Sequence, residues 1–225
     1  MANIQKYCKG MLEQLARETA SKTAPGDSAL ILQLSSGVDN LIELRCTAEK
    51  ARLGFIWIEV TYLIRIAAVN DLWAFYSGRN VGREKTTCSL QIRDVIFPRY
   101  DLPDWGFSLP MDQPNEQMEA IQILKKVIIE KIWPIARTCT DLSGVVAAME
   151  SYGITGHKVD NIFLYALAGM AEKALEKIRE AKAFWLDPEN GFGPGNVIVS
   201  ILEAVEVDLH THGDCYASKL ASLSK

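Results

Sequence analysis

Leu41-Ile42-Glu43-Leu44-Arg45-Cys46-Thr47 alternates apolar and polar residues, whereas Ala120-Ile121-Gln122-Ile123-Leu124-Lys125-Lys126-Val127-Ile128 does not. In the first stretch Ile42, Leu44 and Cys46 share one face and Glu43, Arg45 and Thr47 the other, which is the period of a half-buried strand. In the second, Ile121, Leu124 and Ile128 stack on one face of a helix. The change of period falls near residue 110. It predicts an α+β protein with an N-terminal helix, about four mostly antiparallel strands, and then a block of about four to five helices. We read residues 1–225 as a single α+β domain, with residues 1–110 forming its helix-plus-sheet half and 111–225 its helical half.

Working outward, residues 3–21 read as an amphipathic helix that buries Ile4, Tyr7, Met11 and Leu15. Ala29 to Ser35 and Leu41 to Thr47 form a hairpin across Ser36-Gly37-Val38-Asp39-Asn40. Phe55 to about Ile66 is apolar at every even position, and Thr87 to Phe97 supplies a fourth strand. Pro98 to Pro114 connects the halves, and its Trp105, Phe107 and Leu109 are expected to pack back onto the sheet. A helix over Asn115–Ile132 is kinked or ended by Pro134. Thr140 and Asp141 cap a short helix that Gly153 stops. Val159 to Phe184 reads as one long helix that buries Ile162, Ala166, Leu167, Met170, Ala174, Leu175 and Ile178, with Lys173–Glu176 and Lys177–Glu180 pairs on its outer face. Asn196 caps a helix through Leu209, and a short helix follows from Asp214 to about Leu223.

A chain of 225 residues with 48% hydrophobic and 23% charged residues can bury a core that needs neither disulfides nor metal. The first residues lack the apolar run of a signal peptide, and no apolar stretch approaches the roughly 20 residues that span a bilayer. The expectation is a cytoplasmic protein that does not engage membranes. Cys8, Cys46, Cys88, Cys139 and Cys215 are odd in number and widely spaced, and they read as reduced packing residues. Of the formal net charge of −4, residues 1–110 contribute +1 and residues 111–225 contribute −5. Residues 183–218 contain six acids (Asp187, Glu189, Glu203, Glu206, Asp208, Asp214) and no Lys or Arg. Such a segment disfavours nucleic acid and favours a basic partner.

The clusters that resemble sites each have a simpler structural explanation. His210-Thr211-His212-Gly213-Asp214-Cys215 can hold a metal only on an extended backbone, because two histidines at i,i+2 on a helix point about 200° apart. Asp187 to Asn196 is glycine-rich and leads into a helix, but it follows a helix, carries no cation, and has Ile198 where a calcium loop needs a bidentate Glu. Trp73, Phe75 and Tyr76 precede Arg79, Arg83 and Lys85, a combination that can stack and clamp a single strand. The charge of that half supplies no basic field for it, and a loop between strands explains the same residues. No G-x-S-x-G, H-E-x-x-H, P-loop or C-x-x-C motif is present. The residues therefore point to no catalytic group, no metal and no cofactor, and to a protein that is not an enzyme.

The order of elements, with Asp101-Leu102-Pro103-Asp104-Trp105 between sheet and helices and with Ile132-Trp133-Pro134, resembles uncharacterised families of bacterial immunity proteins. These belong to polymorphic-toxin and type VI secretion systems. The likeness extends over about residues 1–180; where members place Gly-Asp after an Ala-rich helix, this chain has Met170-Ala171 after Tyr165-Ala166-Leu167-Ala168-Gly169. What the resemblance implies is a binding function: occlusion of a cognate toxin's active site, here one with a basic cleft, during competition between bacteria. The partner-binding residues expected from the acidic segment are Asp187, Glu189, Glu203, Glu206 and Asp208, with Trp185 and Phe192 as aromatic anchors. The competing expectations are an enzyme or small-molecule binder with a pocket between sheet and helices, and a structural subunit of a larger assembly.

Overall fold

The computed structural model describes residues 2–19, 22–25, 30–35, 38–48, 54–79, 86–91, 107–152, 154–190, 196–213 and 216. In chain order the first elements are α1 (Ala2–Glu18), β1 (Lys22–Pro25), β2 (Leu30–Ser35), β3 (Asp39–Ala48), β4 (Phe55–Arg65) and α2 (Ala67–Ser77). Next come β5 (Cys88–Gln91), β6 (Phe107–Pro110), α3 (Pro114–Val127), a π-helical turn (Ile128–Ile132), α4 (Trp133–Thr138) and α5 (Leu142–Tyr152). The last are β7 (Thr155–Gly156), α6 (Lys158–Leu167), α7 (Ala171–Leu186), a 3-10 turn (Pro188–Asn190) and α8 (Val197–His212). The protein is α+β. Its chain forms two compact units, Met1–Ile64 with Ser89–Asp141, and Arg65–Cys88 with Leu142–Lys225. The boundary is therefore not at residue 110: α3 and α4 belong with the sheet, and α2 belongs with the later helices. Among the described residues no helix is long and apolar enough to cross a membrane.

In the first unit β1, β2 and β3 form a three-stranded antiparallel ladder, with Thr23 opposite Leu32 and Leu32 opposite Ile42. The strand order continues to β4, and β6 pairs antiparallel with β4, placing Ile58 opposite Phe107. The expected count of about four strands does not hold. Lys22–Pro25 and Phe107–Pro110 are too short to show a period, yet both are strands. In β4 Ile56, Ile58, Val60, Tyr62 and Ile64 are buried, as is Ile66 just beyond it, and near the end of the strand Leu63 of the other face is buried as well. The helix α1 packs against β2, β3 and α3. Its buried stripe is Ile4, Cys8, Met11, Leu12 and Leu15, with Tyr7 only half-buried.

Pro134 does not end the helix that starts at Pro114. The proline lies in the first turn of α4, directly after the π turn over Ile128–Ile132. That wider turn separates the segments where proline lacks an N–H and its ring would meet the preceding turn. The C-cap of α4 is Cys139, whose carbonyl accepts a hydrogen bond from Asn40 Nδ2 at 2.8 Å. The same amide donates to Val38 O at 2.9 Å, and its oxygen accepts from the Tyr62 hydroxyl. Asn40 and Tyr62 are both fully inaccessible to solvent.

In the second unit the expected long helix is two helices. Gly169 takes φ +74, Gly169 N–H donates to Ala166 O at 3.2 Å, and Met170 N–H donates to Tyr165 O at 2.9 Å. This is a Schellman end, in which the left-handed residue closes the last turn of α6 and lets α7 turn back against it. Met170 is consequently exposed. Asn196 caps α8 as expected, its Oδ1 accepting from Ile198 N–H at 2.9 Å. Lys177 and Glu180 form the expected pair at 2.8 Å, whereas Lys173 pairs with Glu150 of α5. Of the expected helix from Asp214 only Tyr216 is described, and residues 92–97 of the fourth strand, Trp105 and Gly153 lie outside the described residues.

Asn40→Ala removes the partner of the Val38 and Cys139 carbonyls and of the Tyr62 hydroxyl together, so at roughly 1–3 kcal/mol per buried group that loses its partner it is expected to cost about 3 kcal/mol or more. Tyr62→Phe removes the hydroxyl's bond to the Asn40 amide oxygen and leaves both Asn40 donors in place, so it is expected to cost less, about 1–3 kcal/mol. Urea unfolding of the two variants and the double variant checks both values and their coupling.

Candidate functional site

The second unit presents the outer face of α8. Its inner face buries Val199, Ile201, Leu202, Val205 and Leu209. At 100° per residue Val197, Ser200, Ala204, Val207 and Thr211 fall within an arc of about 80° on the opposite side. All five are exposed, Val207 at 65% and Val197 at 46%. Asp208 borders this stripe on the Val197 side and is half-buried, while Glu203 and then His210 border it on the Val207 side and are exposed. The stripe thus lacks the dense charge of an ordinary solvent-facing helix surface, and a valine this exposed gains nothing for the fold.

Two ties flank the buried face of α8 and set its orientation. On one side Lys182 of α7 bonds Glu206 at 3.0 Å, with both side chains about one-quarter exposed. On the other, the Tyr76 hydroxyl donates to Asp208 Oδ2 at 2.7 Å and lies 2.7 Å from the Tyr216 hydroxyl. With Tyr76 donating to the carboxylate, Tyr216 is left to donate to Tyr76, which makes a chain of two hydroxyls ending on Asp208. Burial, then the Tyr216 contact and the Asp208 charge, raise the Tyr76 hydroxyl well above the ordinary phenol range. Tyr216 is pushed up to about 12 by burial and by the Asp208 charge, with its bond to Tyr76 acting in the opposite direction. Both phenols are therefore protonated near neutrality, where they serve as donors and not as bases.

The rest of this cluster is aromatic. Trp73 meets Phe163 edge-on at 5.8 Å and donates its indole N–H to Asp160, while Tyr76 stacks on Phe163 at 5.9 Å. Asp160 is buried in the first turn of α6, where the helix dipole also favours its negative charge. His157 caps α6 and its ring lies 5.9 Å from Trp73 and 6.3 Å from Trp185.

Of the residues expected to bind a partner, Glu203 and Glu189 are exposed. Asp187 is half-buried and uses its Oδ1 to accept from Glu189 N–H at 2.9 Å, holding the 3-10 turn after α7. Glu206 is committed to Lys182 and Asp208 to Tyr76, so neither is an outward acid. Trp185 is half-buried between Phe184 and His157 and so is a packing residue; the exposed ring is that of Phe184, over which Lys158 Nζ sits at 3.3 Å. Phe192 lies outside the described residues. Trp73 and Tyr76 pack against Phe163 and Phe75 is exposed; their segment is the helix α2 and not a loop, while Arg83 and Lys85 lie outside the described residues. His210 and His212 lie within α8, where the helix aims them apart.

Sequence reasoning missed the apolar stripe, although Val197, Ala204, Val207 and Thr211 stand at i, i+7, i+10 and i+14 in the open. Reading the apolar residues of α8 as buried hid a second helical face. No family model matches the chain, and no curated protein and no solved structure is detectably similar to it. The likeness to immunity-protein families therefore rests on the sequence pattern alone.

The two phenols have a consequence for pH. Their folded pKa values lie above the value near 10 of an unfolded tyrosine, so the folded state holds more protons between those values. Their contribution to stability is complete below about pH 10 and declines as pH rises through the folded values. Urea unfolding from pH 7 to 11.5 is expected to show that decline, with a shallower slope in Tyr216→Phe. Absorbance at 295 nm is expected to show two tyrosines ionising only as the protein unfolds.

Proposed function

We propose that this chain is an immunity or antitoxin-like protein that neutralises a toxin by covering its active site, with the outer face of α8 as the centre of contact. The observation that carries this reading is the exposure of Val207 and Val197 on a helix face where, of the bordering acids Glu203 and Asp208, Glu203 is exposed and Asp208 is half-buried. An apolar centre with charge at its rim is the anatomy of a protein interface, where fully covered side chains supply affinity and peripheral charges supply orientation.

The ties on either side suit such a role. Binding through a helix whose position is already set loses less conformational freedom than binding through a mobile segment. Lys182 neutralises Glu206, and Asp208 is turned to Tyr76, so Glu203 and Glu189 carry the outward negative charge. A basic cleft on the toxin is the chemistry that complements them. Glu189 lies on the turn that leaves α7, the helix packed beside α8.

The test begins with native purification of the tagged chain together with its co-purifying partner, followed by titration of that partner with variants. Val207→Asp places a charge in the apolar centre and is expected to weaken binding tenfold or more, with the change mainly in the dissociation rate. Glu203→Lys is expected to slow association and flatten its salt dependence. Asp208→Glu serves as the control for a change in the tie to Tyr76 and is expected to alter stability more than affinity. If Val207→Asp and Glu203→Lys both bind as the unaltered chain does, the face is the wrong one. Purification of the chain alone, with a small molecule bound, would support a ligand-binding protein instead.

A further inference from the structure

Two thiols that are remote in sequence meet inside the first unit. Cys8 Sγ of α1 and Cys46 Sγ of β3 stand 3.7 Å apart. Cys8 has no solvent exposure and Cys46 is half-buried, so Cys46 is the residue of the pair nearer to solvent. A disulfide requires its sulfurs about 2.05 Å apart, so the remaining approach is about 1.7 Å, within reach of thiol rotation and a slight shift of helix against strand. The other sulfur contact is different in kind, since Cys88 faces the Met149 thioether at 3.9 Å, which cannot form a disulfide.

The two sulfurs are also chemically unequal. Its contact with Cys46, and then burial, hold the Cys8 thiol well above the ordinary thiol range, across a contact in which either sulfur can be the donor. That hydrogen bond holds the Cys46 thiol below its ordinary range. The sulfur of the partly exposed residue is therefore the readier thiolate, and thiolate is the reactive form of cysteine. The buried sulfur beside it is placed to resolve whatever forms there.

We propose that Cys8 and Cys46 are a peroxide-responsive dithiol that closes to a disulfide joining α1 to β3. Cys46 thiolate attacks one oxygen of hydrogen peroxide, the O–O bond breaks, and Cys46 becomes a sulfenic acid while hydroxide leaves and takes up a proton as water. Cys8 sulfur then attacks the Cys46 sulfur and gives up its proton. The S–O bond breaks, a second water leaves, and the S–S bond forms. One peroxide accepts the two electrons released by the two thiols. A thiol reductant reverses the change by exchange.

The full-length reduced protein is treated with a small excess of hydrogen peroxide, blocked with N-ethylmaleimide and digested with trypsin without reduction. The expected product is two hydrogen atoms lighter than the starting protein and yields the peptide Tyr7-Cys8-Lys9 joined to Cys46-Thr47-Ala48-Glu49-Lys50. Dithiothreitol restores both thiols, and the oxidised protein melts several degrees higher under non-reducing conditions. In Cys8→Ser the sulfenic acid on Cys46 persists and is trapped by dimedone; where Cys8→Ser does not fold, Cys8→Ala takes its place. Peroxide treatment that leaves both cysteines blocked by maleimide overturns the proposal. So does oxidation of Cys46 beyond sulfenic acid with Cys8 still free, or a bridge from either cysteine to another partner.

Discussion

Asn40 has no access to water, so its amide must be answered inside the protein or the fold carries the full cost of desolvating it. Its nitrogen donates to Val38 and to Cys139, and its oxygen accepts from Tyr62. That one side chain therefore sets the start of β3 against β4 and against the end of α4, nearly a hundred residues further along. The apolar core holds these elements together without specifying their register, because hydrophobic contact is not directional. The second unit solves the same problem with carboxylates. Asp160 takes the Trp73 indole N–H, and Asp208 takes the Tyr76 hydroxyl. In each case a polar group is retained in the interior at the point where a helix must sit in one orientation.

The parts of the fold legible in the amino-acid sequence are those in which a local rule and the final packing agree. The apolar even positions from Ile56 to Ile66 are legible because β4 lies within the sheet and buries one face along its whole length, with Leu63 the one odd position of the strand buried beside them. Asn196 is legible as a cap because the bond it makes, to Ile198, is two residues away. The illegible parts are those in which a single residue overrides a pattern. The apolar period of residues 159–184 runs straight through Gly169, and only the positive φ there divides the segment. Pro134 reads as a kink or an end of the helix, and the π turn just before it, which carries the chain on, is not visible in the apolar period. The helix α2 is hidden because Trp73, Phe75 and Tyr76 look like loop aromatics when the carboxylates that receive Trp73 and Tyr76 are not in view.

The acidic segment shows the limit of counting charges. Six acids without a lysine or arginine look like a uniform negative surface, but a formal charge says nothing of its partner. Lys182 lies one residue before the segment and reaches Glu206, one helix over. The Tyr76 hydroxyl comes from 132 residues away to meet Asp208. Each such partnership turns an apparent surface charge into an internal tie and leaves the outward character of α8 to its uncharged residues. What was invisible in the sequence was therefore less the acidic residues themselves than the weakly polar face between them.

That face asks for an explanation that stability does not provide. Val207 stands 65% exposed in the middle of a helix whose core-facing residues already fill the opposite side. Valine is a weaker helix former than lysine or glutamate, so a polar residue there would favour the helix and solubility together. A single exposed apolar residue is ordinary on a protein surface. The distinction here is alignment: Val197, Ala204 and Val207 lie along one stripe, and the helix that bears them is fixed on both flanks by polar ties. A partner that covers the stripe removes apolar surface from water without first having to order the helix, which is where pre-set geometry becomes affinity.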